Sequence, residues 1–264
     1  MAERVRAMFA RIAPGYDRAN TVLSWGMHHR WRRRAVAFCQ PPKSGSVLDV
    51  ATGTGDLAFE FRRAVGSKGH VVGVDFCAPM IERARAKSRR SGLNVEFLEG
   101  DALNLPWPDG TFDVASIAFG VRNVDDPKRC LDEMARVVRP GGRVLVLEFG
   151  QPEGLLSLPY KGYSRLVLPV VGGIVTGQKG AYDYLRRTAA AFPSGDRFAD
   201  IMESTGRFCD VRVVELSGGI AYLYLGVVGD GLTRRAPARA GPRGAASRSA
   251  SAAGVRRARA AAGT

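Results

Sequence analysis

Long apolar runs are missing from this chain of 264 residues. The best, Leu166 to Val175, is ten residues long and is broken by Pro169, Gly172 and Gly173. A bilayer span needs about 20. Charged and apolar residues alternate from Met1 to Arg11 with no apolar h-region, so the start does not read as a secretory signal. Cysteine is scarce. Cys39, Cys77, Cys130 and Cys209 stand far apart with no C-x-x-C. That spacing argues against a zinc site or a disulfide framework and fits reduced thiols in a cytoplasmic protein. Acidic residues are also short, 25 against 39 Lys and Arg, for a net charge of +14.

Half of that excess lies in the last 35 residues, where Asp230 to Thr264 carries eight arginines and one aspartate among Ala, Gly, Ser and Pro. With so few large apolar side chains, burial cannot offset ordering entropy, and the composition predicts a disordered tail over 230–264. Its charge suits either a solvated appendage or contact with nucleic acid or anionic lipid. A second basic cluster comprises Arg4, Arg6, Arg11, Arg18, Arg30, Arg32, Arg33 and Arg34. Val5, Met8, Phe9 and Ile12 are interleaved at helical spacing. This predicts a helical N-terminal segment over 1–45, either an ordinary packed helix or a gate at a membrane surface.

Between these ends, strands and helices alternate. Strands are expected at Ser46–Val50, Val71–Val74, Val95–Leu98, Asp113–Ala118 and Arg143–Phe149. Helices are expected at Leu57–Val65, Met80–Ser91 and Pro127–Val138, the last ended by Pro140-Gly141-Gly142. Such alternation implies parallel strands in an α/β domain over 46–229. Residues 151–180, rich in Gly, Pro, Leu and aromatics, are too long for a simple connection and read as a cap. A helix at Ser194–Thr205 and two strands, Cys209–Leu216 and Ala221–Gly226, would close the sheet as a hairpin.

Three features mark one ligand site. In Asp49-Val50-Ala51-Thr52-Gly53-Thr54-Gly55-Asp56, glycines stand where the first strand turns into a helix. They let the backbone approach a ligand and expose N–H groups to it. Taken alone, Gly53-x-Gly55-x-x-Ala58 also fits a nicotinamide-dinucleotide fingerprint. Asp75 ends the second strand, placed to accept from both hydroxyls of a ribose. Glu99-Gly100-Asp101-Ala102 ends the third, where an acid can receive an adenine amino group, and Leu105-Pro106-Trp107-Pro108-Asp109-Gly110-Thr111-Phe112-Asp113 leads into the fourth. In this order the set resembles the class I S-adenosylmethionine-dependent methyltransferases. The resemblance implies a Rossmann-like α/β fold, a seven-stranded mostly parallel sheet with a terminal antiparallel hairpin, and S-adenosyl-L-methionine as cofactor. Gly53, Thr54, Gly55, Asp75, Asp101 and Ala102 are its expected contacts. A sulfonium is already activated, so no metal is expected.

A narrower resemblance rests on three spaced motifs. Tyr16-Asp17-Arg18-Ala19-Asn20 with Leu23-Ser24, His28 and Trp31 is similar to the N-terminal signature of the ubiquinone/menaquinone biosynthesis C-methyltransferases. Phe119-Gly120-Val121-Arg122-Asn123-Val124 resembles that family's loop after the fourth strand, and Arg136-Val137-Val138-Arg139-Pro140-Gly141-Gly142 with Glu148 its second signature. The likeness covers about Phe9 to Gly226, and the demethylmenaquinone branch fits best. Departures are Ala19 for Met, Gly150 for Ser, Ala118 for a serine near the cofactor and Asp101 for Asn. The tail after Val228 has no counterpart in the pattern.

The resemblance implies C-methylation of a polyprenylated quinol. A neutral ring carbon is a weak nucleophile, so the site must assist loss of the quinol proton and stabilise the phenolate. Arg122 is the expected cation, or else a structural ion pair with Asp125 or Asp126. Asn123 would orient a quinone oxygen. His28 is the natural base by its ordinary pKa, or else a packing group. Tyr16 would close the cofactor pocket or bond substrate, and Asn20 would cap a helix. Leu155, Leu156, Leu158, Tyr160, Tyr163, Leu166, Val167, Leu168, Val170 and Val171 would line the isoprenoid path. The partners so implied are the quinol, an anionic membrane surface met peripherally at the cytoplasmic face, and a second copy in a homodimer.

Competing readings are a methyltransferase for another phenolic or lipid acceptor, and a silent cofactor-binding scaffold of a quinone-synthesis assembly. A specific nucleic-acid substrate is not expected: Ala118-Phe119-Gly120-Val121 lacks the Asn/Asp-Pro-Pro-aromatic cluster of base methylases.

Overall fold

Valine- and leucine-rich runs, buried on both faces, make the central strands. They are β1 (Ser46–Val50), β2 (His70–Asp75), β3 (Glu96–Glu99), β4 (Phe112–Ala118) and β5 (Val138–Phe149). The last two strands are β6 (Phe208–Leu216) and β7 (Ala221–Val228). The computed structural model describes residues 2–152, 154, 157–163 and 179–230, all within the compact unit Met1–Arg234. Most of the expected cap and the tail beyond Asp230 lie outside them, as do Leu155, Leu156, Leu166, Val167, Leu168, Val170 and Val171.

The sheet has seven strands in the order β3-β2-β1-β4-β5-β7-β6. β1 to β5 are parallel, and β7 and then β6 join antiparallel. This is the expected Rossmann-like arrangement. Alternation sorts the side chains. Val47, Val114, Leu145 and Leu223 share one core with α3 (Met27–Cys39) and α4 (Asp56–Val65). Leu48, Ala115, Val144 and Tyr224 share another with α6 (Pro127–Arg136) and α9 (Asp196–Ser204). α5 (Ala78–Ser91) covers β2 and β3, and its Ala84 and Ile81 are fully buried.

Of the N-terminal 45 residues, α3 is part of the first core through Trp31, Ala35, Val36 and Cys39. The indole of Trp31 donates to Ser217 Oγ in the β6–β7 turn at 3.0 Å. α1 (Ala2–Ile12) and α2 (Tyr16–Leu23) form a smaller cluster on Cys77 and Met80, with Ala181 of α8 (Lys179–Ala191). Asn20 caps no helix. It lies within α2, and its backbone carbonyl accepts from Ser24 N–H at 3.0 Å and Ser24 Oγ at 2.7 Å.

Most boundaries fall within two residues of expectation, and the start of β5 differs most. The helix α6 stops at Arg136, not Val138, and β5 begins at Val138. Pairing jumps from Phe112↔Val138 to Val114↔Arg143, so Arg139-Pro140-Gly141-Gly142 is an outward bulge within the strand. A Cβ on Gly142 would meet Asp113 O at 2.7 Å, which is why the chain can turn back there only as glycine. The helix α8 was not foreseen. α7 (Ser157–Gly162) is the described part of the cap.

Candidate active site

Sequence order runs from β1 outward to β2 and β3, then returns to β4 on the other side of β1. The carboxyl ends of β1 and β4 therefore flank the topological switch point, where ligands bind in open α/β sheets. Both chains leave that point in strained conformations. Ala51 has φ 49° and Phe119 φ 57°, left-handed values that non-glycine residues avoid. A Cβ on Gly120 would sit 2.8 Å from Ala51 Cβ, so the two turns approach closely only because residue 120 is glycine.

On the β1 side, Gly53 (φ 57°) donates its N–H to Asp75 Oδ2 at 2.8 Å. Asp75 Oδ1 accepts from Cys77 N–H at 2.9 Å. Burial raises the Asp75 carboxyl to about 6, against those two N–H bonds. A Cβ on Gly53 would meet nothing within 4 Å, so the turn opens onto free space. Gly55 (φ 85°) starts α4, and a Cβ there would strike Phe97 at 2.6 Å. Gly100 N–H bonds Asp75 O at 3.1 Å, bringing the end of β3 to the same rim. Asp101 there is exposed, its Oδ1 accepting from Leu103 N–H at 2.9 Å, and Ala102 is half-buried. A buried carboxylate, an open glycine turn and an acid on the next strand end fit a ribosyl-adenine cofactor.

Asp49 was missed. It is buried beneath the glycine turn, accepting from Thr52 Oγ1 at 2.6 Å and Ser116 Oγ at 2.7 Å. Burial raises it to about 6. Its position in the motif was on view, but only the pairing of β1 with β4 shows that Ser116 answers it. Thr54 Oγ1 is turned to Asp17 Oδ1 of α2 at 2.5 Å, and Lys87 Nζ bridges Asp17 at 3.1 Å and Asp56 at 2.5 Å. The N-terminal helices are thus latched to the glycine turn.

On the β4 side, Arg122 is buried and ion-paired with Glu148 at 2.5 Å. An ion pair was one of the expected alternatives, but Asp125 and Asp126 are not the partners. The parallel register sets Ala118 beside Leu147, so Arg122, just beyond β4, meets Glu148 near the end of β5. Burial raises the Glu148 carboxyl, opposed first by Arg122. Asn123 donates Nδ2–H to Phe119 O at 3.3 Å. Phe119 and Phe149 lie 4.4 Å apart, centroid to centroid, and Arg122 stands 5.2 Å over Phe149. The Tyr16 and Tyr184 hydroxyls both feel the Arg122 charge, and burial raises both above their ordinary value. Arg122 Nε, Asn123 Oδ1 and Tyr184 OH are buried without a hydrogen-bond partner. Unpaired polar atoms at a strand end are expected where a ligand completes the set.

His28, the expected base, sits inside the fold. It is buried in α3, its Nδ1 accepting from Arg32 Nη1 and its Nε2 3.3 Å from Thr21 Oγ1. Burial first, then Arg32, lowers it to about 3, so it is a neutral packing group at pH 7. His28, His29 and Asp56 do come within metal-ligand reach of one another. Asp56 is already matched by Lys87 and by Arg32 at 3.6 Å, which makes this an ion-pair cluster.

The family model of the ubiE/COQ5 methyltransferases matches residues 1–228. The chain belongs to the ubiE/COQ5 methyltransferase family. Among relatives, it is 49% identical over 227 residues to the ubiquinone/menaquinone biosynthesis C-methyltransferase UbiE of Bdellovibrio bacteriovorus, covering 86% of this chain and 96% of that one. It is 47% identical to the demethylmenaquinone methyltransferase of Thermus thermophilus, covering 83% and 99%. Solved structures share the fold. A SAM-dependent methyltransferase of Aquifex aeolicus superposes with TM-score 0.56 at 24% identity, covering 75% of this chain and 89% of that one. Phosphoethanolamine N-methyltransferase 2 of Haemonchus contortus with S-adenosyl-L-methionine superposes with TM-score 0.56 at 16% identity, covering 75% and 52%. The chain is an S-adenosylmethionine-dependent C-methyltransferase.

Proposed function

We propose that the chain methylates a ring carbon of a polyprenylated quinol, demethylmenaquinol first and the ubiquinone-pathway benzoquinol second. The observation that carries this reading is the group of buried, unpartnered polar atoms beside an aromatic floor: Arg122 Nε, Asn123 Oδ1 and Tyr184 OH beside Phe119 and Phe149. A flat ring bearing two oxygens matches that set. The names of the relatives support the same acceptor.

Gly53, Thr54, Gly55, Asp75, Asp101 and Ala102 would hold S-adenosylmethionine, which supplies an activated methyl group on its sulfonium. The protein's task is the acceptor oxygen. Arg122, held in place by Glu148, offers Nε–H to that oxygen as its charge grows. The guanidinium stays protonated, so it stabilises the phenolate and does not take the proton. Asn123 Oδ1 and Tyr184 orient the ring oxygens. Tyr16, kept protonated by burial, closes the site from α2. Neutral His28 supports α3 and takes no proton.

A polyprenylated acceptor sits in a bilayer, so we place the reaction at the cytoplasmic membrane face. The four free cysteines fit a reducing compartment. No helix among the described residues is long and apolar enough to cross a membrane. Labelled methyl transfer to demethylmenaquinol, the benzoquinol and a simple phenol tests the reading. Transfer to demethylmenaquinol at the highest kcat/KM is expected. Equal transfer to the simple phenol would sink it.

A further inference from the structure

Among the described residues, three large apolar side chains are exposed: Trp25 at 85%, Val22 at 51% and Leu158 at 80%. They fall on two elements that touch. Trp25 and Val22 belong to the α2–α3 turn and the end of α2, Leu158 to α7. Tyr163, just past α7, donates its hydroxyl to Leu23 O, two residues before Trp25. The Trp25 backbone is left-handed, φ 51°, and is followed by Gly26 at φ 72°. An indole in that conformation is strained, by roughly 1–2 kcal/mol, and here it packs against almost nothing. A turn serving only to join two helices would be met at lower cost by Asn-Gly. Strain held at an exposed aromatic points to a surface it must meet.

The surroundings say which surface. Arg18 and Val22 are four apart on α2, one turn above the other, and Trp25 follows. Arg30, Arg33 and Arg34 recur at three- and four-residue spacing on α3. All four arginines are exposed, and none is within ion-pair distance of a carboxylate among the described residues. An apolar tip ringed by unpaired guanidinium groups is complementary to an anionic bilayer interface. Indoles settle there at headgroup depth and arginines meet phosphate. We propose that the α2–α3 turn is a membrane-docking tip, with Trp25 as the inserted anchor, Val22 and Leu158 beside it, and Arg18, Arg30, Arg33 and Arg34 as the phosphate-facing rim. The choice of a lipid surface over a protein rests on the polyprenylated acceptor proposed above. α2 also carries Tyr16, so docking would set the substrate-side helix against the membrane.

The test is flotation of the full chain with phosphatidylglycerol-containing and with pure phosphatidylcholine vesicles, without quinol or cofactor. Trp25→Asn should weaken binding to anionic vesicles about tenfold or more, and should melt no lower than the parent, since asparagine tolerates φ > 0. Quenching of tryptophan fluorescence by brominated lipid should vanish with it. Replacing Arg30, Arg33 and Arg34 by serine should weaken binding to anionic vesicles only, by about fivefold per residue. Turnover on a short-tailed, water-soluble quinol should be unchanged in both variants. A Trp25→Asn variant that melts lower yet binds vesicles like the parent would overturn the proposal. So would loss of a dimer with vesicle binding intact, which would assign the tip to a second copy. Vesicle binding is read without methyl transfer, so a wrong acceptor assignment leaves this result standing.

Discussion

Arg122 and Glu148 are both buried and 2.5 Å apart, so neither can be changed alone without consequence. Arg122→Ala leaves a buried carboxylate uncompensated and should destabilise the fold by ~3–5 kcal/mol. Lost activity in that variant would mean little. Replacing both partners by methionine removes the pair together, which is often neutral or better for stability. The double variant is expected to melt near the parent, to bind cofactor normally, and to lose ~10²–10³ in single-turnover rate, as for loss of one oxyanion donor. A parental rate in that variant would make Arg122 structural. Asp75 gives a second prediction. Burial raises it to about 6, so it is protonated below that pH and loses acceptor capacity toward a ribose. Cofactor affinity should therefore fall as pH drops from 7 to 5, and Asp75→Asn should flatten the profile at a uniformly lower affinity, by about 1–3 kcal/mol. Asp49 titrates in the same window. An unchanged profile in Asp75→Asn would transfer the effect to it.

At the level of elements, α1 and α2 are held to the domain by little. Their cluster is small, and their polar ties are few, among them Asp17 on Thr54 and Lys87 and Arg6 4.0 Å from Glu99. Asp17 and Lys87 are partly exposed, so the latch is worth about 1 kcal/mol or less to global stability. Asp17→Ala should leave the melting temperature almost unmoved. It should speed hydrogen exchange of α1 and α2 amides and raise the cofactor off-rate, because Thr54 of the glycine turn and Lys87 lose a partner. Exchange as slow as in the parent would mean packing alone holds the helices. The strands that build this frame were legible in the sequence, because a strand buried on both faces is a short apolar run rich in Val, Leu and Ile. Asp75 and the glycine turn were legible as a candidate cofactor site for the same reason, since each sits at the end of such a run. What was hidden depends on register. Glu148 lies 26 residues from Arg122 in the chain, and only the β4–β5 pairing brings them together. His28 reads as a base until burial beside Arg32 is seen. Pro140-Gly141-Gly142 reads as a stop, whereas the strand bulges and resumes. α8 has a mixed composition with Gly180 at its start, and its helix rests on packing against the small N-terminal cluster through Ala181 and Leu185.

For the molecule as a whole, the seven strands described all precede the basic tail. β7 lies between β5 and β6 and carries Val228, the last buried core side chain among the described residues. Gly229 N–H then bonds Arg207 O at 2.9 Å, closing the strand end. The family model also ends at residue 228. Removing 231–264 takes away eight arginines and no strand, helix or site residue described here. The truncated chain should melt within about 2 °C of the parent, since every core side chain described is kept and the tail has few large apolar residues. Its turnover on a detergent-dispersed quinol should match. On anionic vesicles its binding should be weaker and less sensitive to salt, because fewer guanidinium groups face the lipid charge. The Trp25 tip should still hold it there, so Trp25→Asn in the truncated chain should weaken what remains about tenfold or more. Insolubility, or loss of the detergent-dispersed activity, would place part of the folded enzyme beyond Asp230.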